Sequence, residues 1–378
     1  MKTWHPEATK TAERVLDLLS RQANARDPGS VPPAPLPRVT DIADTVDIAF
    51  WGSMRREEGV TPTISVAFIR PEDVIDGMRF ERRIAFTAVS LARLAPAVKR
   101  AGLHLGITRS RGTLALWGTT RHIPPYCLVL EVIDPGVLVL KYRQETERAK
   151  FVNLAVIEGD RLKVIDQSGG LSPECTTPLT EQFGLDGDGN PWREIGDILV
   201  EFAVSMRALR HGGTLLVVPA EHDEWRTSLV STLPYAVHPP YTALGDLLGT
   251  PRPGRLDEIG VDALHPEIDA IAGLTAVDGA TVLRGGSEVV AFGAKIVRRR
   301  GSAQVHRVLL TEPIEGNEPA VISTSQLGGT RHLSAAQFVH DQRDSLALVA
   351  SQDGQFTVFS WNDEEGMVAA RRVESVLL

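Results

Sequence analysis

Apolar and polar residues in the first half of the chain follow helical and strand periods in turn. Residues 9–24, TKTAERVLDLLSRQAN, carry apolar side chains at helical spacing and predict an amphipathic helix. A strand is predicted at residues 64–69 and a helix at residues 82–99. Short apolar runs separated by turn residues then follow, a rhythm typical of an antiparallel sheet. These runs are TLALWG, CLVLEV, VLVLKY, VNLAVI and LKVID. The pattern predicts an N-terminal α+β domain with an antiparallel-type sheet over residues 1–188.

The second half has longer helical patterns and more continuous apolar runs. Residues 191–210 predict a helix that ends at His211-Gly212-Gly213, because glycine often terminates helices. TLLVVP follows and has the continuous apolar character of a buried strand. LTAVDGATVLRGGSEVVAFGAKI, from Leu274, predicts two strands around an Arg284-Gly285-Gly286 turn. A second α+β domain is therefore predicted over residues 189–378.

Length and charge limit the classes of protein that fit the chain. A chain of 378 residues favours two domains of ordinary size. A formal net charge of −8 argues against a protein that coats nucleic acid, although small anionic ligands stay possible. The two cysteines, Cys127 and Cys175, form no CxxC motif, which indicates a reducing compartment. With no signal peptide or spanning segment found, we expect a cytoplasmic protein without a membrane partner.

One acidic segment between the two halves resembles a calcium loop in part. In GLDGDGNPW, Asp186, Asp188 and Asn190 fall on the first, third and fifth positions of an EF-hand loop. Pro191 stands where that loop needs glycine, and Asp197 stands where it needs glutamate. The segment is therefore interpreted as a turn that introduces the next helix.

The tripeptide Thr-Arg-His occurs twice, in contexts that predict different roles. At residues 120–122 it is followed by Pro124, which prevents a helix from continuing, so a plain connecting loop is predicted. At residues 330–332 it follows two glycines and opens a helical pattern, with Thr330 as the predicted N-cap. A helix N-terminus binds anions, and Arg331 and His332 would add donors to it.

A carboxylate followed by two minimal side chains, at residues 278–280, interrupts a predicted strand. Glycine and aspartate both weaken strands, so their presence suggests a ligand that approaches the backbone closely. The alternative is a bulge with Asp278 turned to solvent. One carboxylate and one anion-binding helix start together indicate a nucleotide or metal–phosphate site.

The motifs DGA and GTRH, in this order and about fifty residues apart, resemble the diadenylate cyclase (DAC) domain family. The family signatures are Asp-Gly-Ala and Gly-Thr-Arg-His-Arg. HGGTLLVVP and ALVASQDG are similar to flanking segments of that domain, while AFGAKI and SQDG resemble a subgroup described as nucleotide sensors, the DACNV type. The resemblance covers residues 190–378 and includes the first half only as an accompanying region. It implies an α+β fold with a mixed central sheet flanked by helices.

The resemblance also implies a set of site residues and partners. Asp278 would hold Mg²⁺ or Mn²⁺ near a ribose 3′-hydroxyl. In an active cyclase two such sites face each other in a homo-oligomer, and each 3′-oxygen attacks the α-phosphate of the opposing ATP. The implied ligand is an adenine nucleotide or a cyclic dinucleotide. The implied nucleotide-binding residues are Asp278, Gly279, Ala280, Gly329, Thr330, Arg331, His332 and Ser351.

One departure from the family pattern separates the possible functions. Leu333 stands where the family has a second arginine, and a leucine donates no hydrogen bond to a phosphate. Loss of such a contact costs roughly 2 to 4 kcal/mol of transition-state stabilisation. We therefore favour a nucleotide sensor. A working diadenylate cyclase that makes cyclic di-AMP from two ATP is the alternative, and a scaffold without ligand is a third possibility.

A basic segment follows AFGA and allows two interpretations. Its cationic residues could neutralise the phosphates of a nucleotide held by a neighbouring subunit, but a solvated hairpin is the favoured interpretation. These residues are Lys295, Arg298, Arg299, Arg300 and Arg307.

Overall fold

The chain folds into two compact units, Met1–Gln167 and Ser168–Leu377. The computed structural model describes residues 5–25, 32–56, 62–74, 76–99, 102–110, 112–145, 151–165, 191–248, 261–352 and 354–373. The predicted domain boundary at residue 188 lies outside the described residues, as do Cys175 and most of GLDGDGNPW. Among the described helices, none is long and apolar enough to cross a membrane.

In the residues that the structure describes, the first unit has an eight-stranded sheet and three α-helices. Its strand order is β2-β4-β3-β1-β5-β6-β7-β8. β1 runs parallel to β3, and the other neighbouring strands are antiparallel. The helices are α1 (Ala8–Asn24), α2 (Val39–Ser53) and α3 (Ala88–Leu94). The strands are β1 (Ile64–Phe68), β2 (Gly77–Ala85), β3 (His104–Ser110), β4 (Thr113–Thr120), β5 (Leu128–Asp134), β6 (Val137–Arg143), β7 (Phe151–Glu158) and β8 (Arg161–Val164).

Local signals explain where these elements begin. α1 follows the predicted periodicity, and its apolar side, which includes Val15 and Leu19, is buried in the core. The predicted helix at residues 82–99 begins too early. Residues up to Ala85 belong to β2, and α3 begins only after Thr87, whose hydroxyl accepts from the Ser90 N–H in a capping box.

The second unit is a nine-stranded mixed sheet. Its strand order is β10-β12-β11-β9-β15-β16-β17-β13-β14, with the pairs β9/β11 and β13/β17 parallel. The helices are α4 (Pro191–Ala208), α5 (Ala243–Leu248), α6 (Val261–Thr275) and α7 (Thr330–Asp341). The strands are β9 (Gly213–Val218), β10 (Tyr235–Tyr241), β11 (Ala280–Arg284), β12 (Glu288–Ala294), β13 (Arg307–Thr311), β14 (Ala320–Ser323), β15 (Leu346–Ala350), β16 (Phe356–Asn362) and β17 (Met367–Arg372).

Helices cover both faces of this sheet, which confirms the predicted α+β architecture. Phe202 of α4 and Ile268 of α6 pack with Leu215 on one face. Phe338 of α7 packs with Leu216 on the other face. Because successive residues of β9 point to opposite faces, a strand covered on both sides must be apolar throughout, as TLLVVP is.

The strand directions bring four chain segments to one edge of the sheet. β9 and β11 are parallel, so both begin at this edge. β12 and β15 are antiparallel to them, so both end there, with Ala294 opposite Ala280 and Ala350 opposite Gly213. The N-terminus of α7 lies at the same edge, because Thr330 lines the same cavity as Ala280 and Ala350.

The predicted strand that was to contain residues 278–280 differs from the observed one. Leu274 lies in the last turn of α6, and β11 begins only at Ala280. Asp278 and Gly279 therefore lie in the connection between a helix and a strand. Placed outside the strand, the two residues do not weaken it.

Candidate functional site

A cavity of about 730 Å³ opens at the edge where β9 and β11 begin. It is lined by all eight residues that the sequence predicted for the site, although they come from three distant segments. These residues are Asp278, Gly279, Ala280, Gly329, Thr330, Arg331, His332 and Ser351. The structure thus brings the predicted residues together, while the role of each stays a prediction.

The start of α7 forms one wall of the cavity. Gly329 is the N-cap, with an extended backbone, and its carbonyl accepts the His332 N–H at 3.0 Å. The prediction that Thr330 is the N-cap was wrong, because Thr330 is already the first helical residue. No atom lies within 4 Å of the position a Cβ of residue 329 would take. The N–H of His332 is thus used within this turn. The N–H groups of Thr330 and Arg331 come before any intrahelical acceptor, and there is open space beside the cap at residue 329.

The side chains of Arg331 and His332, at the start of α7, lie in different environments. A Cβ at residue 212 would lie 3.1 Å from Nη1 of Arg331, so Gly212 leaves room for the guanidinium. His332 is 2% exposed, and its ring centroid lies 6.1 Å from that of Phe359. A Cβ at residue 328 would come 2.8 Å from Nδ1 of His332, so Gly328 allows the turn to close over the ring. Arg331 is therefore the more accessible of the two as a ligand contact.

Asp278 forms an ion pair with Lys295 at the cavity. Lys295 Nζ lies 2.5 Å from Asp278 Oδ2, and the two side chains are 51% and 89% exposed. The hydrogen bond from Lys295 and its positive charge lower the pKa of Asp278, and the charge of Arg331 acts in the same direction. Asp278 is therefore anionic at neutral pH, and two cations lie near it.

Gly279 is required by its own protein rather than by a ligand. Its φ is +119°, a region that residues with a side chain rarely adopt. A Cβ at this position would lie 2.4 Å from the backbone carbonyl carbon of Gly293 in β12. We predicted from the sequence that a ligand approaches the backbone closely here. The backbone of β12 takes up that space instead.

Lys295 is the main site residue that sequence reasoning misplaced. It was assigned to a solvated hairpin, but no such hairpin forms, because β13 pairs with β14 and β17. Arg298, Arg299 and Arg300 are exposed as expected, and the Arg299 N–H donates to Oδ2 of the buried Asp341 at 2.7 Å. One signal could have placed Lys295 at the site: it directly follows β12, the strand that pairs with β11. Thr214, Ser334 and Gln352 also line the cavity.

The first Thr-Arg-His forms no comparable arrangement. Thr120 ends β4, and no helix follows it. The side chain of His122 is 73% exposed, and its Nδ1 lies 3.8 Å from Oδ2 of Asp76. The prediction of a plain connecting loop is confirmed for Arg121 and His122, whereas Thr120 is still part of β4.

The divalent metal implied by the resemblance does not fit the groups around Asp278. Among the described residues that line the cavity, Asp278 is the only carboxylate, and Lys295 already contacts its Oδ2. In the part of the chain that the structure describes, no three His, Cys, Asp or Glu side chains come together as metal ligands. Mg²⁺ can be held by one carboxylate together with the phosphates of a ligand, so what opposes a metal here is Lys295. An ammonium group in contact with Oδ2 of Asp278 repels a divalent cation at that oxygen.

Comparison with protein families places a match in the first unit. Residues 31–121, about a quarter of the chain, match a family model described as "Probable sensor domain DACNV". The motifs DGA and GTRH lie outside this range, in the second unit. None of the curated proteins matches the chain. The family match therefore concerns the first unit and does not include the residues that line the cavity.

Several solved structures match part of the chain, among them the following two. A hypothetical membrane spanning protein from Bacillus cereus shares 18% identity, with a TM-score of 0.24, and the match covers 44% of this chain and 59% of that chain. A double mutant of DacA from Staphylococcus aureus shares 13% identity, with a TM-score of 0.24, and the match covers 47% of this chain and 87% of that chain. This chain therefore spans less than two thirds of the Bacillus cereus protein. Likeness at this level carries no argument about the site.

Proposed function

We propose that this protein binds an adenine nucleotide or a cyclic dinucleotide in the cavity of its second unit. The observation that carries the proposal is that eight predicted residues from three segments line one cavity: seven belong to the motifs DGA and GTRH, and Ser351 belongs to the flanking segment ALVASQDG. Its volume of about 730 Å³ is that of an ordinary small-molecule site. The motifs and the cavity are independent observations, and both point to the same place.

The groups at the cavity suit a phosphate ester. The N–H groups at the start of α7 and the guanidinium of Arg331 provide donors for phosphate oxygens. Asp278 is anionic and largely exposed, so it can accept a hydrogen bond from a ribose hydroxyl. Phosphate contacts would thus supply affinity, and the carboxylate would orient the sugar.

The role we propose is that of a sensor in nucleotide second-messenger signalling. Leu333, which replaces the family arginine, is 40% exposed and supplies no donor at the helix start. The family match of the first unit carries the word sensor in its description. The first unit would relay or shape the response to the ligand. A diadenylate cyclase would need a metal at Asp278, where Lys295 lies, and is therefore the less favoured function.

Isothermal titration of the full-length protein with cyclic di-AMP and with ATP tests the proposal. The Thr330→Val, Arg331→Ala double variant should bind at least about tenfold more weakly, because it loses a charged donor. Arg121→Ala, in the first Thr-Arg-His, is the matched control and should bind as the wild type does. Equal affinity of the wild type and the double variant for both nucleotides would refute the proposal.

The same protein preparations distinguish the sensor from the enzyme. Incubation with ATP and Mn²⁺, followed by mass spectrometry, should return ATP unchanged. Formation of cyclic di-AMP by the wild type, abolished in Asp278→Asn, would establish the cyclase instead.

A further inference from the structure

The position of Lys295 relative to Asp278 is set by the backbone of β12. Ala294, the last residue of β12, lies opposite Ala280, the first residue of β11. Asp278 precedes β11 by two residues and Lys295 follows β12 by one, so the pairing of the two strands brings these side chains together. The contact therefore belongs to the sheet geometry at the cavity edge.

Stability alone does not account for this ion pair. Both side chains are more than half exposed, and exposed ion pairs contribute little to the free energy of unfolding. The sign of the charges around the cavity indicates another role for the pair. Lys295, Arg331 and the N-terminus of α7 all present positive charge to the same space, and Asp278 is the one carboxylate among the described residues that line it.

We propose that the ammonium group of Lys295 takes the place of a divalent metal ion at Asp278, so that the cavity binds phosphate groups without a metal. This inference rests on the proposed function only in assuming that the ligand carries phosphate. Lys295 contacts one of the two carboxylate oxygens that a metal could bind, and its remaining N–H groups can donate to a phosphate oxygen. The ligand class is thus a phosphate ester or pyrophosphate in its metal-free form.

Binding of inorganic pyrophosphate and of cyclic di-AMP, each measured in EDTA and in excess Mg²⁺, tests the inference on the full-length protein. The wild type should bind pyrophosphate in EDTA at least as tightly as in Mg²⁺. Lys295→Met should bind it at least about tenfold more weakly in EDTA, because it loses a charge-assisted hydrogen bond. Arg298→Met, which removes an exposed cation of the same segment outside the cavity, is the matched control and should leave binding unchanged.

Two results would overturn the inference. One is pyrophosphate binding by the wild type that requires Mg²⁺ or is absent in EDTA. The other is equal affinity of the wild type and Lys295→Met in EDTA. If pyrophosphate binds in EDTA through Lys295 while neither cyclic di-AMP nor ATP binds, the metal-free phosphate site stands and the proposed nucleotide function fails. The two proposals are therefore distinguished by one set of titrations.

Discussion

Each unit of this protein contains a carboxylate–lysine ion pair on its sheet, but the two pairs have different surroundings. In the first unit Lys141 Nζ lies 2.6 Å from Glu131 Oε2, and the side chains are only 12% and 21% exposed. In the second unit Lys295 and Asp278 are separated by a similar 2.5 Å but are 51% and 89% exposed. Distance alone does not distinguish them, whereas burial does.

The partners of the first pair complete a closed network. Ser65 Oγ donates to Glu131 Oε1 at 3.1 Å and forms a hydrogen bond with Nδ1 of His104 at 2.7 Å. The ammonium of Lys141 also lies 4.7 Å from the ring centroid of Phe151. Groups that satisfy each other in a buried network stabilise the fold. The open pair of the second unit has hydrogen-bonding capacity left for a ligand, and this difference separates a structural pair from a candidate binding pair.

The largest expected effect concerns the backbone that holds the open pair. Gly279→Ala should destabilise the second unit by about 3 kcal/mol or more, because the Cβ would overlap the backbone of Gly293 at a positive φ. Gly273→Ala, in α6 with no atom within 4 Å of its Cβ, should leave stability unchanged or slightly raised. Hydrogen exchange in denaturant, resolved by peptide, measures both. Equal stability of the two variants would show that the close contact of β11 and β12 is not needed.

A second prediction concerns the pH dependence of the closed network. Burial lowers the pKa of His104 to about 4, while the negative charge of Glu131 opposes this shift. The unfolded chain takes up a proton below about pH 6.5 and the folded unit does not, so stability falls between about pH 6.5 and pH 4. The expected loss is at most about 3 kcal/mol. Unfolding of the first unit at several pH values measures this slope.

The control for that slope is another histidine of the same unit. In His104→Gln the free energy of unfolding of the first unit should change little between pH 6.5 and pH 4. His122→Gln, at a position where the side chain is 73% exposed, should show the same pH dependence as the wild type. A slope that persists in His104→Gln would assign it to other groups.

The smallest effect compares the two lysines directly. Lys141→Met should destabilise the first unit by about 2 kcal/mol, because it leaves Glu131 partly buried without its cation. Lys295→Met should change the unfolding of the second unit little, because the pair it removes is exposed. The denaturant concentrations at which each unit is half unfolded measure both losses of stability. Comparable losses in both variants would contradict the distinction between a structural pair and a binding pair.

Sequence periodicity predicted several elements closely because their signals are local. The helix predicted at residues 9–24 is α1 (Ala8–Asn24), and the strand predicted at residues 64–69 is β1 (Ile64–Phe68). Elements without a clear local signal were missed. Neither α2 nor β10 was predicted. The segment of β10 contains two prolines, which are tolerated in an edge strand such as this one.

The contact of Asp278 with Lys295 depends on irregular pairing that no local pattern reveals. Arg284 lies opposite Glu288, so an unbroken hairpin register would place Ala280 opposite Phe292. Register shifts in between place Ala280 opposite Ala294 instead. Because of these shifts β12 reaches the cavity edge at Ala294, and Lys295 follows within reach of Asp278. In the unbroken register Ala294 would lie opposite Asp278, and Lys295 would lie opposite Val277.

The sequence by itself determined which chemical groups this protein has for a ligand: one carboxylate in DGA, a helix start in GTRH, and the glycines that let each turn form. These follow from backbone preferences and helix polarity, which act over a few residues. Only the tertiary structure decided that strands β9, β11, β12 and β15 share one edge, and that Lys295 lies against Asp278 there. Strand pairing joins residues far apart in the chain, so its register depends on the packing of the whole sheet.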